Sequence, residues 1–153
     1  MSVAQKASAK KNGGVRAAVP PKNVQIVKKA YEAFGRRDIP AVLEVLDPKI
    51  EWLEPAGSLP PPAGSGMHRG REAVEKEVFG TIPKTWDSFR VEPESFFEAG
   101  DHVVVAGRFH VRPSTGRAEV EAPCVQIWHL RGGKAVRMQN YTDTYQLAQA
   151  LGR

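Results

Sequence analysis

Three side chains in the sequence, those of Asp143, His110 and Glu54, could move a proton, and Arg108 could hold a neighbouring carboxylate ionised. Arg108 and His110 are two residues apart in a predicted strand, so both project from the same face, roughly 7 Å apart. Asp143 ends the last predicted strand, and Glu54 follows the first. A carboxyl group beside an apolar cavity can have its pKa raised by desolvation and then exchange protons near neutral pH. Asp143, His110 and Arg108 are therefore candidate catalytic residues.

Each candidate also has a purely structural interpretation. Asp143 precedes Thr144 in a short helical pattern, where an aspartate fits the N-cap position. Arg108 and His110 equally fit a solvated or dimer-facing polar pair, and Glu54 equally fits an ordinary loop carboxylate. The residue types alone leave both interpretations open.

The aromatic residues supply the apolar mass that such a site needs. Most are expected in the core, because aromatic residues at helical or strand spacing are usually buried there. Trp52 and Tyr141 are the two that we predict to line a cavity and pack against a planar or alicyclic ligand. The hydroxyl group of Tyr141 could also meet a ligand oxygen.

Metal and cofactor chemistry is not predicted. His68, His102, His110 and His129 form no pair at i, i+2 or i, i+4, and no acidic cluster accompanies them. Cys124 is the single cysteine, which fits a small core residue and excludes an internal disulfide. We predict neither a bound metal nor a cofactor.

The elements that position these residues change character along the chain. Helical spacing and capping signals predict three helices in the N-terminal half, and alternating apolar residues with short turns predict a meander afterwards. A proline-rich loop interrupts the first half at residues 55–66. The predicted helices are Asn23–Gly35, Ile39–Leu46 and Arg71–Phe79, with a terminal helical turn at Thr144–Leu151; the predicted strands are Ile50–Leu53, Phe89–Glu98, His102–Arg112, Arg117–Leu130 and Lys134–Asp143.

This order predicts an α+β domain, with helices packed over a curved antiparallel sheet of about four to six strands. In the strand from His102, Val103 and Val105 occupy one face while Val104 and Ala106 occupy the other. A sheet with one solvated face alternates more cleanly. We therefore expect the second face to meet another subunit in a homodimer.

The net charge of +5 belongs to the N-terminus. Five cations and no acid occur in the first 22 residues, and the remaining 17 cations balance 17 acids. We predict a disordered basic tail over residues 1–22 and one neutral domain over residues 23–153. A neutral domain argues against nucleic-acid binding. The absence of a long apolar run predicts no membrane span and a cytoplasmic protein.

Several strings in this order resemble the SnoaL-like branch of the nuclear transport factor 2 superfamily. They are Ala30-Tyr31-Glu32-Ala33-Phe34, Ile50-Glu51-Trp52, His68-Arg69-Gly70-Arg71-Glu72-Ala73-Val74 and Met138-Gln139-Asn140-Tyr141-Thr142-Asp143. The superfamily includes ketosteroid isomerases, limonene-epoxide hydrolases and polyketide cyclases. The resemblance implies a cone-shaped sheet around a pocket roofed by the helices, and dimerisation through the outer face of the sheet.

The resemblance also suggests roles for single residues. Asp143 resembles the acid/base aspartate of SnoaL-type cyclases, and Glu54 falls where ketosteroid isomerases carry their general base. Val125 occupies the position of an oxyanion-hole aspartate, and Tyr31 lies one residue out of register with the isomerase tyrosine. His110 replaces an aspartate of the epoxide hydrolases. His68 stands near the expected pocket mouth, where it could hydrogen-bond a ligand carbonyl.

Two functional hypotheses follow from the sequence. One is a cofactor-independent acid/base enzyme, of cyclase, isomerase or hydrolase type, acting on a hydrophobic carbonyl or epoxide compound. The other is a non-catalytic ligand-binding or dimerisation module, because Val125 and His110 break both familiar catalytic sets. A fold of this kind hosts both functions. The predicted ligand contacts are Tyr31, Trp52, His68, Val125 and Tyr141.

Overall fold

The computed structural model describes residues 22–153, so the predicted basic tail lies outside the described residues except for Lys22. The chain forms an α+β domain in which helices cover one face of a six-stranded sheet. Its elements are α1 (Lys22–Gly35), α2 (Ile39–Val45), β1 (Leu46–Leu53), β2 (Met67–Arg69), α3 (Arg71–Ala73), α4 (Ile82–Thr85), β3 (Trp86–Ala99), β4 (His102–Pro113), β5 (Val120–Arg131), β6 (Lys134–Thr142) and α5 (Thr144–Ala150).

The sheet has the order β2-β1-β6-β5-β4-β3 and does not close. Strands β3 to β6 form the predicted antiparallel meander. Strand β1 pairs with β6 in parallel, so the sheet is mixed rather than wholly antiparallel. Hairpin turns fix the direction of consecutive strands, whereas β1 and β6 are joined by most of the chain. The general α+β prediction is confirmed, and this one pairing differs.

Burial along β4 and β5 shows which face of the sheet the helices cover. Val103, Val105 and Phe109 are buried, while the residues between them are partly exposed. On β5 the buried set includes Gln126 and Trp128. Val103, Val105 and Trp128 pack with α1, β1 and the Val74–Val78 turn in one core cluster, and Phe109 belongs to a second cluster beside it. The opposite face, formed by the intervening residues, is called here the outer face.

Two local features differ from the sequence predictions. The loop before α3 contains the short strand β2, in which His68 pairs with Trp52 of β1. The third predicted helix is not one regular helix, because a π-helical turn at Val74–Val78 and a 3₁₀ turn at Phe79–Thr81 separate α3 from α4. The predicted N-cap of α2 is confirmed, since the Asp38 carboxylate accepts from the backbone N–H of Ala41 at 3.2 Å.

Strand β3 bends where its pairing with β4 shifts, between Pro93 and Ser95. At this bulge Gly107 stands opposite Pro93. A Cβ atom on Gly107 would lie 2.2 Å from the carbonyl oxygen of Glu92. The close approach of the two strands therefore requires glycine here. Among the described residues, no helix is long and apolar enough to cross a membrane.

Candidate functional site

The helices and the inner face of the sheet line a partly open cavity of about 60 Å³. This volume holds a few water molecules or a very small organic group. Most of the lining is apolar, and its polar side chains come from Tyr31, Glu54 and Gln126. The remaining lining residues are Ala30, Phe34, Val42, Trp52, Pro61, Pro62, Val78, Phe79, Ile82, Phe89, Val91, Phe109 and Trp128.

Glu54 provides the carboxyl group of this cavity and is only 4% exposed. One carboxylate oxygen accepts from the indole N–H of Trp52 at 2.6 Å, and the other accepts from the Asn140 amide at 3.0 Å. Burial raises the pKa of Glu54, while these two hydrogen bonds and the nearby His68 oppose that rise. The result is a carboxyl group poised to exchange a proton closer to neutral pH.

A chain of hydrogen bonds runs from Glu54 across the inner face of the sheet. The Gln126 amide donates to the side-chain oxygen of Asn140 at 3.3 Å. The Tyr31 hydroxyl donates to the Gln126 side-chain oxygen at 2.5 Å and accepts from the Trp128 indole N–H at 3.0 Å. A buried polar network of this kind avoids unpaired groups in an apolar interior.

Tyr31 and Trp52, two of the predicted ligand contacts, both line the cavity. Burial raises the pKa of Tyr31 far above its ordinary value, so its hydroxyl group stays neutral and can act as a donor. The Trp52 ring packs edge-to-face on Trp128, with 5.9 Å between their centroids. These contacts hold the aromatic walls in fixed orientations.

His68 is buried but does not line this cavity. Its Nε2 lies 2.9 Å from the Ser65 hydroxyl and its Nδ1 lies 2.7 Å from the Glu77 carboxylate. This is the connectivity of a Ser-His-acid triad. However, the backbone N–H groups of Ser65 and Gly66 already donate to carbonyls of the same loop, so they cannot bind an oxyanion. The three side chains tie the loop to the helical segment.

The structure places Arg108 and His110 on the outer face, which corrects their predicted place in the pocket. His110 lies between two carboxylates, 2.7 Å from Glu92 and 3.1 Å from Glu121. Arg108 pairs with Glu94 at 3.2 Å. Side chains alternate between the two faces along β4, so Phe109, which lies between Arg108 and His110, points inward and lines the cavity.

Asp143 does not join Arg108 or His110 in the pocket. Its exposed side chain accepts from the backbone N–H of Gln146 at 3.0 Å and is the N-cap of α5. Asp143 therefore caps a helix, as its structural interpretation states. The predicted pocket group of Asp143, His110 and Arg108 is wrong. The cap satisfies an N–H at the helix start that would otherwise have no partner.

Val125 and Tyr141 also lie on the outer face, where they oppose one another on β5 and β6. They are 38% and 50% exposed, and neither lines the cavity. The inward positions belong to their chain neighbours Gln126 and Asn140. A shift of one residue along a strand moves every side chain to the other face. The predicted ligand contact of Val125 and Tyr141 is therefore wrong.

Gln126 and Asn140 are the site residues that sequence reasoning missed. Each is a polar residue among buried apolar positions of its strand, and the two strands pair at these positions. A buried amide on each of two neighbouring strands is the signal that could have found them. That signal depends on knowing the inward face.

A second space of about 360 Å³, called here the groove, shares lining residues with the cavity. The two share the side chains of Phe34, Phe79, Ile82 and Phe89 as a common wall. Arg37 and Asp87 line the groove but not the cavity. The groove is thus the wider, more polar space on the far side of an aromatic wall.

Solved structures similar to this chain share its fold throughout. A nuclear transport factor 2-like protein of unknown function from Burkholderia pseudomallei is 32% identical, with a TM-score of 0.80, 87% of this chain covered and 99% of that one. A second such protein, from Burkholderia thailandensis, is 30% identical, with a TM-score of 0.77 and coverages of 84% and 96%. TerC, co-crystallised with polyporic acid, is 28% identical, with a TM-score of 0.78 and coverages of 87% and 100%.

No curated protein matches the sequence. The family model of the SnoaL-like domain matches residues 27–138. This range runs from within α1 to within β6, so it contains every element from α2 to β5. The TM-scores of 0.77 to 0.80 show that these relatives share the fold. The chain belongs to the SnoaL-like domain family and has a nuclear transport factor 2-like fold.

Proposed function

We propose that the cavity binds a small, largely apolar molecule and that Glu54 transfers a proton to or from it in a cofactor-independent reaction. The observation that carries the proposal is the buried Glu54 carboxyl group at the polar side of an apolar cavity. Apolar surroundings strengthen electrostatic interactions and raise the pKa of an acid. A carbonyl compound with an acidic neighbouring C–H group, or an epoxide, is the substrate class that such a group can serve.

The hydrogen-bond network supports this role. Glu54 is its final acceptor, with both oxygens held by Trp52 and Asn140, so the carboxylate has a fixed orientation. As the base, the carboxylate would take a proton from the carbon beside a carbonyl group. The neutral Tyr31 hydroxyl is the O–H group in the lining, and by exchanging its hydrogen bond to Gln126 for one to the ligand it could donate to the oxygen where negative charge develops.

The adjoining groove supports access for a larger ligand. Because Phe34, Phe79 and Phe89 separate it from the cavity, their side-chain rotation would join the two spaces. A ligand could then place its reactive group at Glu54 and its remaining part in the groove. The co-crystallisation of TerC with polyporic acid makes that compound a suitable first binding probe.

Proton abstraction can be tested without knowing the natural substrate. Small cyclic ketones are incubated with the protein in D₂O, and loss of the proton signal beside the carbonyl is followed by ¹H NMR. We expect Glu54→Gln to slow exchange at least about 100-fold, the lower range for loss of a general base. The matched control is Glu51→Gln, whose side chain lies on the same strand but pairs with Arg137 at 2.8 Å.

The competing function is a non-catalytic ligand-binding module. It is favoured by the complete pairing of the network, in which Tyr31, Gln126, Asn140 and Glu54 already satisfy one another. Fluorescence of Trp52 and Trp128, which line the cavity, would report binding of polyporic acid. Binding without exchange above the rate of Glu54→Gln would support this alternative and contradict the catalytic proposal.

Assembly is a separate part of the proposal. The outer face carries apolar residues in aligned rows, with Phe97, Val104 and Ile127 in one row and Ala106, Val125 and Tyr141 in the next. Phe97 is 57% exposed. We propose that a second copy of the chain covers this face, because apolar surface of this kind is costly to leave in water.

A further inference from the structure

A cluster of metal-ligand side chains lies at one end of the outer face, away from the cavity. It consists of Asp101, in the turn before β4, His102, the first residue of β4, and His129 of β5. His102 and His129 are directly opposite one another in the β4–β5 pairing. Directly opposed side chains of antiparallel strands are close neighbours. Chain folding therefore joins two histidines that are 27 positions apart in the sequence.

The three side chains converge on a small volume. The two imidazole rings are stacked, with centroids 4.3 Å apart and planes 12° from parallel. His102 Nδ1 lies 2.8 Å from one oxygen of Asp101, and His129 Nε2 lies 2.9 Å from the other. One ligand atom from each residue lies within 4.8 Å of the other two. Ligand atoms bound to one Zn²⁺ at about 2.0–2.2 Å lie closer together than this limit, so ion binding requires the stacked imidazole rings to turn until their in-plane nitrogen lone pairs meet at the ion.

The backbone fixes this geometry. The carbonyl oxygen of Asp101 accepts from the N–H of Leu130 at 2.8 Å, which anchors the turn next to His129. The neighbouring cation on β6 is Arg137, opposite His129. Its guanidinium group pairs with Glu51 at 2.8 Å, and Glu51 also lies 3.6 Å from Arg69. One carboxylate is therefore shared by two guanidinium groups, which leaves one net positive charge beside the cluster.

We propose that Asp101, His102 and His129 bind a divalent transition-metal ion of the Zn²⁺ type. Two imidazole nitrogens and one carboxylate oxygen are ligands that Zn²⁺, Co²⁺ and Ni²⁺ accept, whereas Ca²⁺ and Mg²⁺ prefer oxygen alone. A three-residue set leaves a coordination position for water, because zinc usually takes four ligands. The side chains of Asp101 and His102 are 59% and 42% exposed, so an ion can reach them.

The spacing rule applied to the sequence missed this site because it considered only pairs within one helix or strand. The site is assembled across two strands, and its carboxylate comes from a turn. It is also independent of the proposed chemistry at Glu54, which directly follows β1 and lines the cavity. Loss of either function would leave the other unaffected.

Isothermal titration of tag-free protein with ZnCl₂ tests the proposal. We expect one ion per chain with a micromolar Kd, and at least a tenfold weaker Kd for His129→Gln and for Asp101→Asn. His110→Gln is the matched control, because His110 also lies on the outer face between carboxylates but outside this cluster. The control should bind Zn²⁺ as the wild type does.

Co²⁺ provides a second readout that does not depend on binding heat. Bound Co²⁺ gives visible absorption and shifts the ¹H NMR signals of its imidazole ligands. Both signals should be lost when His102 or His129 is replaced and should remain when His110 is replaced. Circular dichroism of each variant identifies a change caused by unfolding. Unchanged Zn²⁺ affinity in a folded His102→Gln/His129→Gln double variant, or equal loss in His110→Gln, would overturn the proposal.

Discussion

At the residue scale, the ionisation of Glu54 should make stability depend on pH. Burial raises its folded-state pKa above the unfolded value of about 4.3. Below about pH 4, Glu54 is protonated in both the folded and the unfolded protein. As the pH rises from the unfolded pKa through the folded pKa, the free energy of unfolding falls, because the folded protein disfavours the ionised carboxylate. Each pH unit of this upward shift corresponds to about 1.4 kcal/mol.

Glu54→Gln removes that ionisation. We expect the free energy of unfolding of the variant, relative to the wild type, to increase from about pH 4 and level off above the folded pKa. Urea unfolding at a series of pH values from 4 to 8 measures the difference. Glu98→Gln, at an exposed position, is the control and should give a flat difference. A flat difference for Glu54→Gln as well would show that burial does not shift the pKa of Glu54.

Three of the predicted site residues line the cavity and others do not. The family resemblance predicts Glu54 and Tyr31, the aromatic pattern predicts Trp52, and all three line the cavity. Along β5 and β6, apolar residues occur on both faces, so alternation alone did not show whether Val125 or Gln126 points inward. The deciding fact is the strand register, which is set by contacts distant in the sequence.

At the element scale, Gly107 should be essential to the bend of β3. Ala at this position would place Cβ 2.2 Å from the Glu92 carbonyl oxygen, and a backbone atom cannot move aside cheaply. We expect Gly107→Ala to lower the free energy of unfolding by about 2 kcal/mol or more, in the range for overpacked interiors. Chemical denaturation of the purified variant measures this loss.

Gly35→Ala is the matched control for this substitution. A Cβ atom on Gly35, at the end of α1, would meet nothing within 4 Å. Alanine also reduces the entropy of the unfolded chain, so the control should be unchanged or up to about 1 kcal/mol more stable. Equal stability of the two variants would show that the strands do not approach closely at Gly107.

The order of the large elements was predictable because capping residues and short turns act locally. Asp38, Gly100 and Gly132 mark such points. The parallel pairing of β1 with β6 and the strand β2 were not predictable, since both depend on contacts between distant segments. In the third predicted helix, the π-helical turn brings Val74 and Val78 into the core, and Gly80 lies in the 3₁₀ turn that follows.

At the scale of the whole molecule, the curved sheet gives its two faces different tasks. The inner face and helices enclose Glu54 and its hydrogen-bond network. The outer face carries the apolar rows, with the His102–His129 cluster at one end and the charges around His110 at the other. Mixed charges at His110 can pair with the same surface of a second copy, since a two-fold interface is self-complementary.

Val125→Lys tests whether a second copy covers this face. We expect the wild type to sediment as a dimer and the variant as a monomer at the same concentration. Burying an unpaired ammonium group within the interface is unfavourable, and an increase in the dimer Kd of about 100-fold or more is expected. Sedimentation velocity over a range of protein concentrations measures both states.

Tyr145→Lys provides the matched control for the dimer test. Tyr145 is 73% exposed and lies on α5 rather than on the sheet, so its replacement tests the loss of an exposed apolar side chain alone. The control should remain dimeric if the outer face is the interface. A monomeric wild type, or a Val125→Lys variant that stays dimeric, would contradict this assembly, and the apolar rows would then require another occupant.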